Sequence, residues 1–285
     1  MNHSIKIYSP ENMIIYTYTN KYLPNYIKLL DPTSSELDLF REKIMSRITL
    51  VKKSLEEKSV FTAEACLIDQ VWDAEERNMY AISFLDFIDK QCQIINSRIN
   101  SALRKKIKTS LLNLMINFDS EKSRYLDNIS EICVLAKIFE NSEAELIDIE
   151  YALENGKSID YEFVYKNEKH LIEVYSIKFD ICKLNSPDDL LKFIEYRESK
   201  KVNSKLHNLK NVADIPISFV EILWGSLIEL EPFYDVISKR NLYNGLFAPL
   251  MCVGQFVNQR TQYPVYGFLT INQFLDKYRK FKNGS

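Results

Sequence analysis

Ser158-Ile159-Asp160-Tyr161-Glu162-Phe163-Val164-Tyr165-Lys166-Asn167-Glu168-Lys169-His170-Leu171-Ile172-Glu173-Val174-Tyr175 decides how the chain is read. Two runs rich in β-branched and aromatic residues flank a polar tetrapeptide, Lys166 to Lys169, which predicts a hairpin. With the turn centred between Asn167 and Glu168, Glu162 faces Glu173, and Asp160 faces Tyr175 while lying diagonal to Glu173. Side chains alternate along a strand. Asp160, Glu162 and Glu173 therefore share one face, and Tyr161, Phe163, Ile172 and Val174 share the other.

Working outward, Glu145 to Leu153 forms a further strand, and Asn155-Gly156 joins it to Ser158 as a two-residue turn. That register adds Ile147, Ile149 and Tyr151 to the acid face and half-buries the carboxylates. A helix over 121–141, carrying Ile129, Ile132, Leu135, Ala136 and Phe139, precedes this meander. Ser186-Pro187-Asp188-Asp189 opens another helix, with a capping serine, proline in the first turn and acids on the positive end of the dipole. It runs to about His207 and feeds a buried strand, Ile215 to Trp224. Leu230 to Arg240 reads as helix, Val265 to Thr270 as strand and Gln273 to Phe281 as a closing helix. Glu221 and Trp224 read as a strand edge and a core anchor.

Before residue 118 the chain is mainly helical. Thr33 and Glu36 fit a capping box. Leu37, Phe40, Ile44, Ile48, Val51 and Leu55 then recur every three or four residues, as one stripe of an amphipathic helix. Helices follow over 62–99, broken near Glu76-Arg77, and 101–117. Residues 5–30, rich in tyrosine and isoleucine and interrupted by Pro10 and Pro24, read as short strands or an irregular wrap. The chain divides into a mainly helical region, 1–117, and an α/β region, 118–285.

The bulk composition narrows the function. Across 285 residues, 46% are hydrophobic and 27% charged, with six glycines, as in an ordered globular protein. A net charge of −2 supplies no global attraction to polyanions, so any nucleic-acid binding needs a local patch. Five scattered cysteines without metal-ligand spacing, no signal-like N-terminus and no apolar run long enough to span a bilayer point to a cytoplasmic protein, with no membrane partner. No phosphate-binding glycine loop is present. His3, His170 and His207 form neither a spaced metal pair nor a triad.

The acids admit two readings. Like charges side by side on a sheet destabilise it unless compensated. Half-buried carboxylates from Asp160, Glu162 and Glu173 could share Mg²⁺ or Mn²⁺, which favour oxygen ligands with open positions. A register slip would instead leave them as a solvated acidic face. Arg197, Lys200, Lys201 and Lys205 on the following helix, with Lys210 beyond it, are either a phosphate-binding surface or a solvated helix face. Arg104, Lys105, Lys106 and Lys108 form a second such cluster.

A helix bearing Glu131, then a strand, then Asp160 opening a second strand, then Leu171-Ile172-Glu173-Val174-Tyr175, resembles the core of the PD-(D/E)xK, restriction-endonuclease-like nuclease superfamily. The resemblance covers under a third of the chain. It implies a mixed β-sheet flanked by helices and a Mg²⁺- or Mn²⁺-dependent nuclease acting on DNA. By that resemblance Glu131 matches the helical acid, and Asp160 and Glu173 match the metal-binding pair. The lysine position holds Tyr175 and the residue before Asp160 is Ile159 rather than proline. The implied lysine then comes from Lys200, Lys201 or Lys205. A catalytically silent relative, binding nucleic acid or protein, is the alternative that Tyr175 favours. The helical region would serve there as a surface for a protein partner or a homodimer.

Overall fold

The structure is a computed structural model that describes residues 14–57, 67–116, 125–178, 184, 186–209, 217–224, 227–235, 246–257 and 263–283. It is an α/β protein built on one six-stranded mixed sheet, with strands in sequence order across it. The strands are β1 (Ala144–Ala152), β2 (Ser158–Tyr165), β3 (Glu168–Lys178), β4 (Ile217–Trp224), β5 (Leu250–Val257) and β6 (Pro264–Thr270). β1, β2 and β3 form the antiparallel meander, β4 and β5 run parallel to β3, and β6 returns antiparallel to β5.

Among the described residues seven helices precede the sheet: α1 (Ile14–Tyr22), α2 (Pro24–Leu30), α3 (Ser34–Glu56), α4 (Leu67–Glu75), α5 (Met79–Arg98), α6 (Ser101–Ile116) and α7 (Tyr125–Glu140). The reading of residues 5–30 as short strands or irregular wrap is corrected for residues 14–30, which form α1 and α2, while residues 5–13 lie outside those described. Pro24 fits the first turn of α2, where a missing N–H costs nothing. Asp89 of α5 accepts the amides of Asn25 and Tyr26, and so satisfies that helix start from outside. Leu23, Tyr26, Leu29 and Leu30 are fully buried, so packing overrides the β preference of this tyrosine-rich segment.

The capping box at the start of α3 forms as expected. The Thr33 amide donates to Glu36 Oε2 at 2.7 Å, and the Glu36 amide donates to Thr33 Oγ1 at 3.3 Å. Phe40 and Ile44 of its stripe are buried. The side chains of Ile48, Val51 and Leu55 lie outside those described.

One sheet face carries the larger core. Tyr161, Phe163, Ile172, Val174, Val220, Ile222, Met251 and Val253 pack there, in a cluster continuous with α2 and with α4 through α7. The other face is covered by α8 (Pro187–Leu206), a 3₁₀ turn (Leu227–Phe233) and α9 (Ile271–Asn283). A parallel neighbour needs a crossover connection, and α8 is the helix between β3 and β4. Gly254 is required where α9 crosses β5, since a Cβ there would stand 2.2 Å from the Phe274 ring.

β5, a strand that the sequence reading leaves unassigned, lies inside the sheet. Two further readings are revised at least in part. Of the helix read over 230–240, residues 230–233 belong to the 3₁₀ turn Leu227–Phe233, residues 234–235 are α-helical, and residues 236–240 lie outside those described. Glu221 sits on an interior strand and is only 2% exposed, so it is no strand edge. Trp224 is half-buried, and its indole N–H donates to Ser130. Cys92, Cys133 and Cys252 are buried free thiols; Cys66, Cys182 and Lys210 lie outside the described residues. Among the described residues, no helix is long and apolar enough to cross a membrane.

Candidate active site

The geometry of the site begins with two turns. Lys166 and Asn167 both have left-handed backbones (φ 53° and 63°), so the second hairpin closes through two residues and Tyr165 pairs with Glu168. Positive φ at both central positions is the mark of the type I′ turn, whose twist matches the flanking strands. The register therefore sits two residues from the expected one. Glu162 faces Leu171 instead of Glu173, and the ladder brings Asp160 level with Glu173. A two-residue shift keeps every side chain on its face, so Asp160, Glu162 and Glu173 do share one.

The first hairpin behaves differently. Leu153 and Lys157 close a three-residue loop, with Gly156 at φ 76°. The register moves by one residue, which turns side chains over. Ile149 faces Tyr161 in the larger core, Asp148 comes level with Glu162, and Ile147 is exposed at a register break. Tyr151 alone of the three reaches the acid side, its ring 4.8 Å from the Lys169 ammonium.

Asp160 and Glu173 are buried at 8% and 1% exposure. Asp160 Oδ2 accepts the Val174 amide at 2.6 Å. Burial first, and the neighbouring Glu173 carboxylate second, push the Asp160 carboxyl up to about 7 against the pull of that amide, Lys205 and Lys201. Glu162 does not join the pair in any described contact; its Oε1 meets the Lys169 ammonium at 2.5 Å.

The compensating charge comes from α8. Leu190, Ile194, Lys201 and Lys205 lie on one stripe of this helix by the 3.6-residue repeat. Its first half buries Leu190 and Ile194 against the sheet. Its second half sets the Lys201 and Lys205 ammoniums 2.7 and 2.8 Å from Glu173 Oε1. Lys201 also stands 5.7 Å from the centre of the Tyr175 ring, so an amine occupies the neighbourhood that the side chain of residue 175 does not supply. Lys205 donates to the Ser158 carbonyl at 2.6 Å and ties the helix to the start of β2. Asn155, in the first hairpin loop, donates to the carbonyls of Lys205 and His207 and closes the end of α8.

The remaining sequence candidates sit elsewhere. Lys200 is exposed on the solvent side of α8, and Arg197, one turn before Lys201, is half-buried. Glu131 belongs to α7, which packs on the opposite sheet face; its backbone carbonyl accepts the Tyr161 hydroxyl at 2.9 Å. Three residues of the second basic cluster are engaged in the fold, and the fourth, Lys105, is exposed. Arg104 and Lys108 donate to the carbonyls of Lys28, Leu29 and Asp31 at the end of α2, and Lys106 pairs with Asp148.

Asp160 and Glu173 Oε2 are the oxygens that could hold a hard cation. Oε2 is buried and has no hydrogen-bond partner among the described residues. Mg²⁺ commonly keeps several waters and uses one or two carboxylates, so this pair suits it without a third acid. Among the described residues no group of three or more His, Cys, Asp or Glu is gathered for a metal. Glu221 is the buried acid that the strand pattern misled about: it lies beside Tyr175 on the same face. No protein-family model, no curated protein and no solved structure matches this chain.

Proposed function

We propose that the chain is a divalent-metal-dependent nuclease hydrolysing phosphodiester bonds of DNA, on a restriction-endonuclease-like core of the PD-(D/E)xK kind. The observation that carries this reading is the meeting of two buried carboxylates from adjacent strands with two ammoniums from α8, beside the ring of Tyr175. The order α7, β1, β2, β3, α8, β4 supports it, because it sets a helix before the acid-bearing meander and a lysine-bearing crossover after it.

Asp160 and Glu173 would hold Mg²⁺ or Mn²⁺, which when bound activates water and polarises the phosphate. Lys201 and Lys205 bring positive charge to where the attacked phosphate gains negative charge. Lys169 holds Glu162 away from that role, and the packing of Leu190 and Ile194 fixes the height of both lysines above the sheet.

Cleavage of linear and plasmid DNA in Mg²⁺ or Mn²⁺ tests the proposal. It should be lost in Asp160→Ala, in Glu173→Ala and in the double variant Lys201→Ala/Lys205→Ala. An intact chain that cuts no DNA under these conditions sinks the catalytic reading. The alternative, a silent centre in a nucleic-acid- or protein-binding module, draws on Glu173 Oε1 being already neutralised by two ammoniums.

A further inference from the structure

The side of α8 turned away from the sheet has its own pattern. At 100° per residue, Lys192, Tyr196, Lys200, Asn203 and His207 fall within a narrow stripe opposite Leu190, Ile194, Lys201 and Lys205. All five are exposed, and Tyr196, at 63%, is the most exposed large hydrophobic side chain among the described residues. Lys192 and Lys200 sit one turn to either side of it, and among the described residues neither has an ion-pair partner. The acids of this part of the helix, Glu195 and Glu198, lie off the stripe on one flank.

The stripe runs into a cavity of about 440 Å³ at the end of α8, lined by Asn155, Lys157, Asn203, Ser204, His207 and Asn208. That volume is within the range of ligand pockets, about 300–1,000 Å³, but the lining is polar rather than apolar. Asn155 is committed to the carbonyls of α8, whereas the side chains of Lys157, Asn203, His207 and Asn208 make no hydrogen bond among the described residues. One wall is therefore fixed and the other offers amides, an imidazole and an ammonium. The lining contains neither acid of the pair, and two of its residues are chain neighbours of groups that hold the centre together. Lys157 precedes Ser158, whose carbonyl holds Lys205, and Ser204 precedes Lys205 itself.

We infer that this stripe and cavity form a binding track for a single-stranded nucleic acid on the outer face of α8, across the helix from the Asp160–Glu173 centre. Lysines spaced along the helix suit successive phosphates. A solvent-facing tyrosine between them suits an unstacked base, since a stacking platform is useful only where bases are not already paired. The cavity amides suit the hydrogen-bonding edge of a splayed base. The inference concerns binding alone and does not rest on the nuclease reading.

The test measures binding without divalent metal, by fluorescence anisotropy of a labelled 20-mer as single-stranded DNA, single-stranded RNA and duplex DNA. Either single strand should bind more tightly than the duplex, and comparison of the two identifies the natural backbone. Tyr196→Ala should weaken single-strand binding about 5- to 100-fold. Lys192→Ala/Lys200→Ala should flatten the salt dependence by roughly two charges. Asn203→Ala/His207→Ala should weaken binding without changing that slope. Thermal melts should show all three variants folded, because the altered side chains are exposed. Preference for duplex, no binding, or single-strand binding indifferent to these variants overturns the inference. Binding that obeys them in a chain that cuts no DNA leaves the track standing and removes the nuclease reading.

Discussion

At the scale of single residues, the centre is governed by the price of burying Asp160 and Glu173 side by side. Between pH about 4 and about 7 the folded chain holds a proton on Asp160 that the unfolded chain has released. Its contribution to stability therefore falls as pH rises across that window. Asp160→Asn keeps an oxygen for the Val174 amide and removes the charge. The variant should lose this pH slope and be more stable than the parent at pH 8, by on the order of 1–4 kcal/mol. Urea denaturation at pH 5, 6.5 and 8 measures it, and equal slopes in both proteins would show that Asp160 does not carry the effect. The acids themselves were legible as a set, because strand alternation is strictly local. Lys201 and Lys205 entered as their partners only through the resemblance, as candidates beside Lys200, because they lie far along the chain from Asp160 and no local pattern pairs them with it.

At the scale of elements, α8 and the β2–β3 hairpin depend on each other. The helix presents leucine and isoleucine to the sheet where the sheet is apolar, then lysine where it is acidic. Removing both ammoniums in Lys201→Ala/Lys205→Ala leaves Glu173 charged and buried without compensation, which should cost about 3–5 kcal/mol. Either single variant should cost less, because one ammonium remains. Adding Glu173→Gln to the double variant should restore much of the loss. Chemical denaturation of these four variants beside the parent checks the pattern, and a double variant as stable as the parent would contradict it. The hairpins show which element features a sequence carries. The expected four-residue linker closes as a two-residue type I′ turn at Lys166-Asn167, preserving the faces. The expected Asn155-Gly156 turn widens to three residues, and Ile149 changes face.

At the scale of the whole molecule, the larger core is continuous from Leu23 through α5 and α7 to Val253 on β5. Phe84 and Phe87 of α5 meet Tyr266 of β6, and Ser83 donates to the Pro264 carbonyl. The helices before residue 118 thus pack on α7 and, beside it, on β1 and β6, so that together with α7 they cover one face of the sheet. A fragment starting at residue 118 would keep α7 on the sheet but uncover the side of α7 that meets α5 and α6, Cys133 included, and the part of β6 that meets α5, an apolar surface that isolated domains rarely tolerate. It should fail to give a cooperative melt or a monodisperse species in gel filtration. A fragment that melts cooperatively would mean that the sheet is stable without its cover.

Local features settled by the sequence alone include the capping boxes, the helices of the 67–116 region, the meander, and the shared face of Asp160, Glu162 and Glu173. Each depends on residues within a few positions of one another. Tertiary structure decided that residues 14–30 are helical, because burial of Leu23, Tyr26 and Leu30 outweighs tyrosine's strand preference. It also decided that Glu162 turns to Lys169, while Asp160 and Glu173 meet under Lys201 and Lys205. Periodicity fixes which way a side chain points, but only the packing of α8 across β3 and β4 determines which charge stands opposite.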